Sequence, residues 1–448
     1  MSFLRQKLFP LLNSQVSRDS FKILILKITG AGLTLISVVL LSRHLGADGY
    51  GLYSYIISII TILSIPASAG LPQLVIRETS RNLAIKEPGK IRGLWQWAIG
   101  IVIKNSIFVI IIAILTILLY SRAKENAGII LWALMLVPLS ALGNLRSSCL
   151  TGLQKIGLGQ LPELLIRPGV FILIILAFTI LFNINLSPQK AMAMNVFSAF
   201  LGFLTGAWLL LRHTPSGIKE AKPLYESQNW RSSLWSFTML LGINIIYSNL
   251  DIIILGLFLS SKDIGIYKIA FQVALFASFG LQAINVAVGP RFARLYALGE
   301  KEKLQRLVTL STRAMLIFNL FITLFFIIAG KKLLSLVFGT AFIGSYEPLL
   351  ILLIGQFVNS AAGSVGIILN MTGHEKDTVK GRAIALLTNI VLNFILIPFF
   401  GIIGAAITSA ISMMIWNVML WWIVWKRTGI NSLAFGRGVV YKLTKGLV

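Results

Sequence analysis

The sequence predicts an all-α integral membrane protein with about twelve transmembrane helices, in two parallel six-helix lobes around a central cavity. Three observations lead there. Hydrophobic residues make up 56% of the 448-residue chain and charged residues only 12%, far from the balance of a soluble domain. Apolar runs of roughly 20 residues, enough to cross a bilayer, recur about twelve times. The chain also repeats itself: Leu150-Thr151-Gly152-Leu153-Gln154-Lys155 returns as Met371-Thr372-Gly373-His374-Glu375-Lys376. Gly51-Leu52-Tyr53, behind Asp48, returns as Gly265-Ile266-Tyr267 behind Lys262-Asp263. Repeats of membrane segments characterise transporters, which bind cargo where the repeats meet.

The runs follow in order, most of them set off by charge. Residues 21–44 follow a basic segment with Arg5, Lys7 and Arg18, and end at Arg43; 50–71 come next. A loop with Arg77, Arg81, Lys86, Lys90 and Arg92 precedes 93–120, and Arg122 and Lys124 separate that run from 128–150. Lys155 precedes 160–182, and 189–211 close the first half. The second half holds 232–257, 264–289, 308–330, 348–372, 381–399 and 401–425, the last two having no charge between them. The polar interval from Thr214 to Asn229, with Pro215, Gly217 and Pro223, divides the chain into an N-lobe (1–212), a linker (213–229) and a C-lobe (230–448). Six crossings per copy make the lobes parallel. Pro66, Pro138, Pro162, Pro168-Gly169 and Pro398 fall inside runs and are candidate hinges, although proline and glycine are common in membrane helices generally.

The formal charge of +25 is topology rather than a nucleic-acid surface. Lys and Arg concentrate in alternate loops, among them the one with Lys376, Lys380 and Arg382 and the tail with Arg437, Lys442 and Lys445, roughly 27 on one side against roughly 7 on the other, which places both termini and the linker in the cytoplasm. The seven are Arg43, Arg122, Lys124, Lys190, Lys262, Lys331 and Lys332. The expected location is the bacterial inner membrane, with multiple passes. No signal peptide is apparent. Phe3, Leu4, Leu8 and Leu11 suit a short interfacial helix or a frayed end. A single cysteine, Cys149, excludes an intrachain disulfide.

Polar groups inside the runs mark the candidate site, because an ionised group at a helix centre costs about 2.5–3.5 kcal/mol. In the N-lobe these are Lys27, Lys104, Arg146 and Arg167, with Glu163 four residues before Arg167 in the favourable ion-pair order. Lys104 lies at least about ten residues from either end of its run, too deep to snorkel easily. Lys27 shares a helical face with Gly30, Ala31, Thr34 and Ser37. The C-lobe contributes amides and hydroxyls: Asn244, Ser248, Gln272, Gln356, Asn359 and Asn370, the last three on one row with Ser360 and Ser364. That row suits a wet cavity wall or interhelical hydrogen bonding. Asp251 is a candidate for ion coupling, with a salt bridge to Lys268 as the plainer expectation. Cations facing amides and hydroxyls suit an anionic, hydroxyl-rich cargo. His44, His213 and His374 are dispersed, so no metal site or catalytic triad is expected. No phosphate-binding glycine loop occurs, and no cofactor is expected.

The motifs carry a resemblance. Leu41-Ser42-Arg43-His44-Leu45-Gly46-Ala47-Asp48-Gly49-Tyr50-Gly51-Leu52-Tyr53 resembles the opening of bacterial polysaccharide flippases of the Wzx type. These belong to the multidrug/oligosaccharidyl-lipid/polysaccharide exporter superfamily. Gly70-Leu71-Pro72 with Arg77-Glu78, Gly152-Leu153-Gln154-Lys155, Asp263-Ile264-Gly265-Ile266-Tyr267 and Leu336-Val337-Phe338-Gly339 are similar to later family turns. The resemblance runs from about Ser20 to Trp425. It implies two six-helix lobes closing a cationic lumen, and a polyprenyl-pyrophosphate-linked oligosaccharide carried from the cytoplasmic to the external leaflet. Membrane lipids, a polysaccharide polymerase and glycosyltransferases are the implied partners. The alternatives are a multidrug/cation antiporter of the same superfamily, a lipid II flippase, or a membrane glycan polymerase. The first would need buried carboxylates for cationic cargo. The second usually has further helices, and the last a long external catalytic loop.

Overall fold

The computed structural model describes residues 15–119, 125–181 and 185–436. The interfacial helix expected at Phe3, Leu4, Leu8 and Leu11, the cations Arg122 and Lys124, and the tail residues Arg437, Lys442 and Lys445 lie outside the described residues. Every element among the described residues is helical. Nine helices there are long and apolar enough to cross a membrane. Their outward faces are apolar: Leu119, Ile328 and Phe399 are each at least 80% exposed. Water would penalise such surface; hydrocarbon does not.

Two of these helices, Gln15–Ser68 and Glu375–Thr428, run for 54 residues each, and each is broken once. The breaks are at Gly46 (φ 67°) and Gly401 (φ 56°), a left-handed conformation that only glycine adopts without strain. Gly401 is the residue where the last two apolar runs meet. Ser261–Ala277 and Phe279–Ala297 follow one another with only Ser278 between them. The row expected to run from Gln356 to Asn370 is divided: Tyr346–Ala362 ends at Gly363 (φ 77°), and Val365–Met371 is a separate helix.

The prolines act in different ways. Pro162 opens a π-helical turn, Pro162–Ile166, which carries Glu163. A missing N–H and an extra residue per turn belong together there. Pro168 follows that turn directly inside the continuous run Ile156–Leu181, and its missing N–H frees a carbonyl one turn back. Pro66 sits near the end of its helix, and its carbonyl accepts from Asn105 Nδ2 at 2.9 Å.

Contacts divide the chain into two units, Met1–Ile245 and Ile246–Val448. In the first unit the linker is docked. Leu224 N–H donates to the Gly89 carbonyl at 2.9 Å, Arg92 donates to the Ala221 carbonyl at 2.8 Å, and Lys90 pairs with Glu226 at 2.9 Å. Ile218 is buried with Ile91 and Leu153. Gly93 accommodates this packing, since a Cβ there would lie 2.1 Å from the Leu224 carbonyl oxygen.

The second unit has its core at one end, around Phe292, Leu304, Val308, Ile368, Leu369 and Leu420. The segment after the last helix folds into that end. Ile430, Ser432 and Ala434 are buried. Asn431 N–H donates to Gln305 Oε1 at 2.8 Å, Gln305 Nε2 returns a bond to the Asn431 carbonyl at 2.7 Å, and Arg313 Nε donates to the Ala434 carbonyl at 2.9 Å.

Candidate functional site

In the first unit the expected cations separate into two kinds. Lys27 and Lys104 are exposed on their helices, with Lys104 in mid-helix. The face expected to line a cavity beside Lys27 is partly a packing surface: a Cβ on Gly30 would meet the Leu164 carbonyl oxygen at 2.8 Å. Thr34 and Ser37 bond their own helix's carbonyls at Gly30 and Leu33.

Arg146 and Arg167 are brought together on Glu163. Arg146, only 4% exposed, reaches Glu163 Oε1 at 3.6 Å through Nη2 and donates from Nη1 to the Gly202 carbonyl at 3.2 Å. Arg167 meets Glu163 Oε2 at 3.4 Å and donates to Asn195 Oδ1 at 3.2 Å. Asn195 Nδ2 in turn donates to the Tyr53 hydroxyl at 2.6 Å. The π turn at Pro162 presents the carboxylate between the two guanidinium groups, and Gly143 lets it approach. The Glu163–Arg167 pair follows the order expected from their spacing; that Arg146 joins it is tertiary. A groove of about 1080 Å³ in the same unit is lined by apolar side chains, among them Leu131, Trp132, Phe178 and Phe197, with Lys190 in its lining. It lacks the convergent polar groups a sugar needs.

In the second unit Asp251 is buried at 5% exposure and accepts three hydrogen bonds. Tyr267 donates at 2.6 Å, Asn393 Nδ2 at 2.7 Å, and Ser409 through its hydroxyl. Asn393 Nδ2 also reaches Asn389 Oδ1 at 3.0 Å, while Asn393 Oδ1 is buried without a partner. The salt bridge expected with Lys268 does not form: no lysine nitrogen lies within 4.0 Å of the carboxylate among the described residues, and the Lys268 ammonium sits 5.8 Å from the Phe271 ring centroid. Neutral donors satisfy Asp251 where a cation was expected. The duplicated tyrosines both bond through their hydroxyls in opposite senses, Tyr53 accepting from Asn195 in the first unit and Tyr267 donating to Asp251 in the second.

Of the expected amide row, Gln356 is buried and accepts from Asn359 Nδ2 at 3.3 Å, while Asn319 Nδ2 donates to the Gln356 carbonyl at 3.3 Å. Ser364 donates to Asn285. This is interhelical hydrogen bonding at Gln356. Asn359, Gln272 and Asn244 are half-buried, and Ser248 and Asn370 exposed.

Sequence reading missed Asn393 and Ser409, although Asn389 and Asn393 stand four apart on one apolar run. It also treated Arg382 as a loop cation beside Lys376 and Lys380. Arg382 lies within the Glu375–Thr428 helix, half-buried, with its guanidinium 4.0 Å from the Trp416 ring centroid.

Comparison with known proteins gives consistent results. The sequence model of the family described as "Polysaccharide biosynthesis protein" matches residues 16–296, and that described as "MatE" matches residues 237–395. A protein of Haloferax volcanii, named as a probable low-salt glycan biosynthesis flippase, is 26% identical over 422 residues, covering 90% of this chain and 82% of its own. A Shigella flexneri protein named for O-antigen transport is 24% identical, covering 86% of this chain and 92% of its own. Among solved structures, the lipid II flippase MurJ in an inward closed conformation superposes with a TM-score of 0.71 at 15% identity, over 89% of this chain and 86% of that one. An inward-facing multidrug MATE transporter gives 0.70 at 11% identity, over 88% and 96%. At those identities the likeness is one of fold.

Proposed function

This chain belongs to the polysaccharide biosynthesis protein family, and from that premise we propose that it is a flippase moving a polyprenyl-pyrophosphate-linked oligosaccharide from the cytoplasmic to the external leaflet. The family match over residues 16–296 carries the reading; the flippase name of a relative matched over 90% of the chain supports it. This reading takes twelve crossings, the helices broken at Gly46 and Gly401 each counted twice and Ser261–Ala297 once. Both termini and the linker then lie in the cytoplasm, as the loop cations favour.

Of the four cations expected in the first unit, Lys27 and Lys104 are those available to an anionic cargo, because both are exposed while Arg146 and Arg167 share Glu163. A cation exposed in mid-helix is favourable only against water or an anion. Asp251 is the residue proposed for ion coupling. Its carboxylate is buried among the Tyr267 and Ser409 hydroxyls and the Asn393 amide, neutral groups that leave its negative charge to be met by a proton or a hard cation. A polysaccharide polymerase and glycosyltransferases are the proposed partners in the pathway. The test is deletion of the gene followed by staining of surface glycan and assay of lipid-linked oligosaccharide in the two leaflets. Accumulation on the cytoplasmic side is expected, and an unchanged external pool would end the flippase reading.

A further inference from the structure

Arg382 is unlike Arg146 and Arg167. Arg146 and Arg167 share Glu163, but Arg382 has no carboxylate within 4.0 Å among the described residues. The carboxylate one turn and a half before it on the same helix, Asp377, is taken by Arg427 at 3.2 Å. A guanidinium carries five N–H donors, and none of those of Arg382 donates to a protein acceptor among the described residues; its Nε is buried without a partner. One face of the group lies over Trp416, whose ring meets Tyr247 edge-on at 6.2 Å. Stacking fixes the plane of the fork and leaves its donors unused.

Two further buried groups in the same place lack partners: Trp416 Nε1, in the ring under the guanidinium, and Thr378 Oγ1, one turn before Arg382 on the same helical face. Buried polar groups are nearly always bonded, and an orphaned cluster signals a missing ligand or water. Here the cluster offers one permanent positive charge and several donors, so the missing partner is an acceptor-rich anion. A planar fork held flat suits the paired oxygens of a phosphate better than a single carbonyl. The depth matters as well. Arg382 is seven residues into its helix, about 10 Å along the axis, at the end of the second unit where the Asp377–Arg427 pair ties the helix start to its finish. In the topology proposed above, that is the cytoplasmic-leaflet end.

We propose that Arg382, with Trp416 and Thr378, forms a binding site for the pyrophosphate headgroup of a lipid at the cytoplasmic-leaflet end of the second unit. The inference rests on the flippase reading for the identity of the lipid, while the oxyanion site itself rests on the side chains. Arg382 captures the headgroup; the Trp416 ring holds the fork flat and keeps water from one of its faces.

The test uses the full chain in nanodiscs, with farnesyl pyrophosphate as probe and thermal unfolding and direct binding as readouts. The unsubstituted protein is expected to bind the probe and not farnesol. Arg382→Gln should weaken binding at least ten-fold, and Arg382→Lys by less, since it keeps the charge and loses the fork. Trp416→Phe, which keeps a ring beneath the guanidinium but removes the Nε1 donor, should weaken binding by less than Arg382→Gln, and an unfolding midpoint without probe equal to the parent's shows that each variant is folded. Exposed Lys376→Gln should change nothing. Equal affinity for inorganic pyrophosphate would overturn the lipid assignment. Unchanged probe binding in Arg382→Gln would overturn the site, even if gene deletion abolishes surface glycan. Binding that depends on Arg382 in a protein whose deletion leaves surface glycan intact would retain the site and remove the flippase reading instead.

Discussion

Gly206 lies directly against the Arg146 guanidinium: a Cβ built on Gly206 would fall 0.8 Å from Nη1. A side chain at Gly206 requires that guanidinium to move from the position in which its Nη2 stands 3.6 Å from Glu163. The absence of a methyl group on one helix therefore makes room for a buried charge on another.

The first prediction follows. Gly206→Ala should displace Arg146 from Glu163 and destabilise the protein by about 3–5 kcal/mol, the usual effect of separating a buried pair. Thermal unfolding in detergent measures it. Adding Arg146→Met should recover part of the loss, because the double variant no longer carries the displaced charge; additive losses would contradict the contact.

The second prediction concerns the exposed cations. Lys104→Gln and Lys27→Gln should each abolish surface glycan in a complementation assay while the protein still reaches the membrane. Arginine should restore function partly, since a planar fork replaces a point charge. Full activity in both glutamine variants would remove these residues from the cargo path.

A third prediction concerns Asp251. If a cation binds there, sodium at about one hundred times its dissociation constant should stabilise the protein by about 2.7 kcal/mol. Asp251→Asn should lose that stabilisation and the ion dependence of transport together. Sodium-induced stabilisation that persists in Asp251→Asn would place the ion elsewhere.

A fourth tests orientation. Cys149 is buried, and in a Cys149→Ala background a cysteine at the exposed Lys219 should react with a membrane-impermeant reagent only after the cells are opened. External labelling would reverse the assigned orientation.

Much of the fold was legible because burial in lipid leaves a one-dimensional trace. A helix needs about 20 apolar residues to cross, and the runs ending near Arg43 and beginning near Tyr50 meet at the Gly46 break. The Glu163–Arg167 pair was legible because four residues make one helical turn. The surroundings of Asp251 were not. Asn393 and Ser409 are 142 and 158 residues away, and nothing local distinguishes those polar residues from others on apolar runs. Lys268, on the next apolar run, was the natural partner, yet three neutral donors occupy the carboxylate. Arg382 was obscured by its neighbours, since Lys376 and Lys380 made it look like a third loop charge.

The segment Ile430–Ala434 bears on how this protein can be handled. Its backbone closes hydrogen bonds with Gln305 and Arg313, and Ser432 is fully buried. A variant ending at Gly429 would leave the Arg313 guanidinium without its acceptor at Ala434, and it should express poorly for a reason unrelated to cargo. A fluorescent protein or affinity handle belongs beyond Gly436, where a fusion leaves these bonds intact, and a loss of signal on trimming should be read first as a failure of assembly.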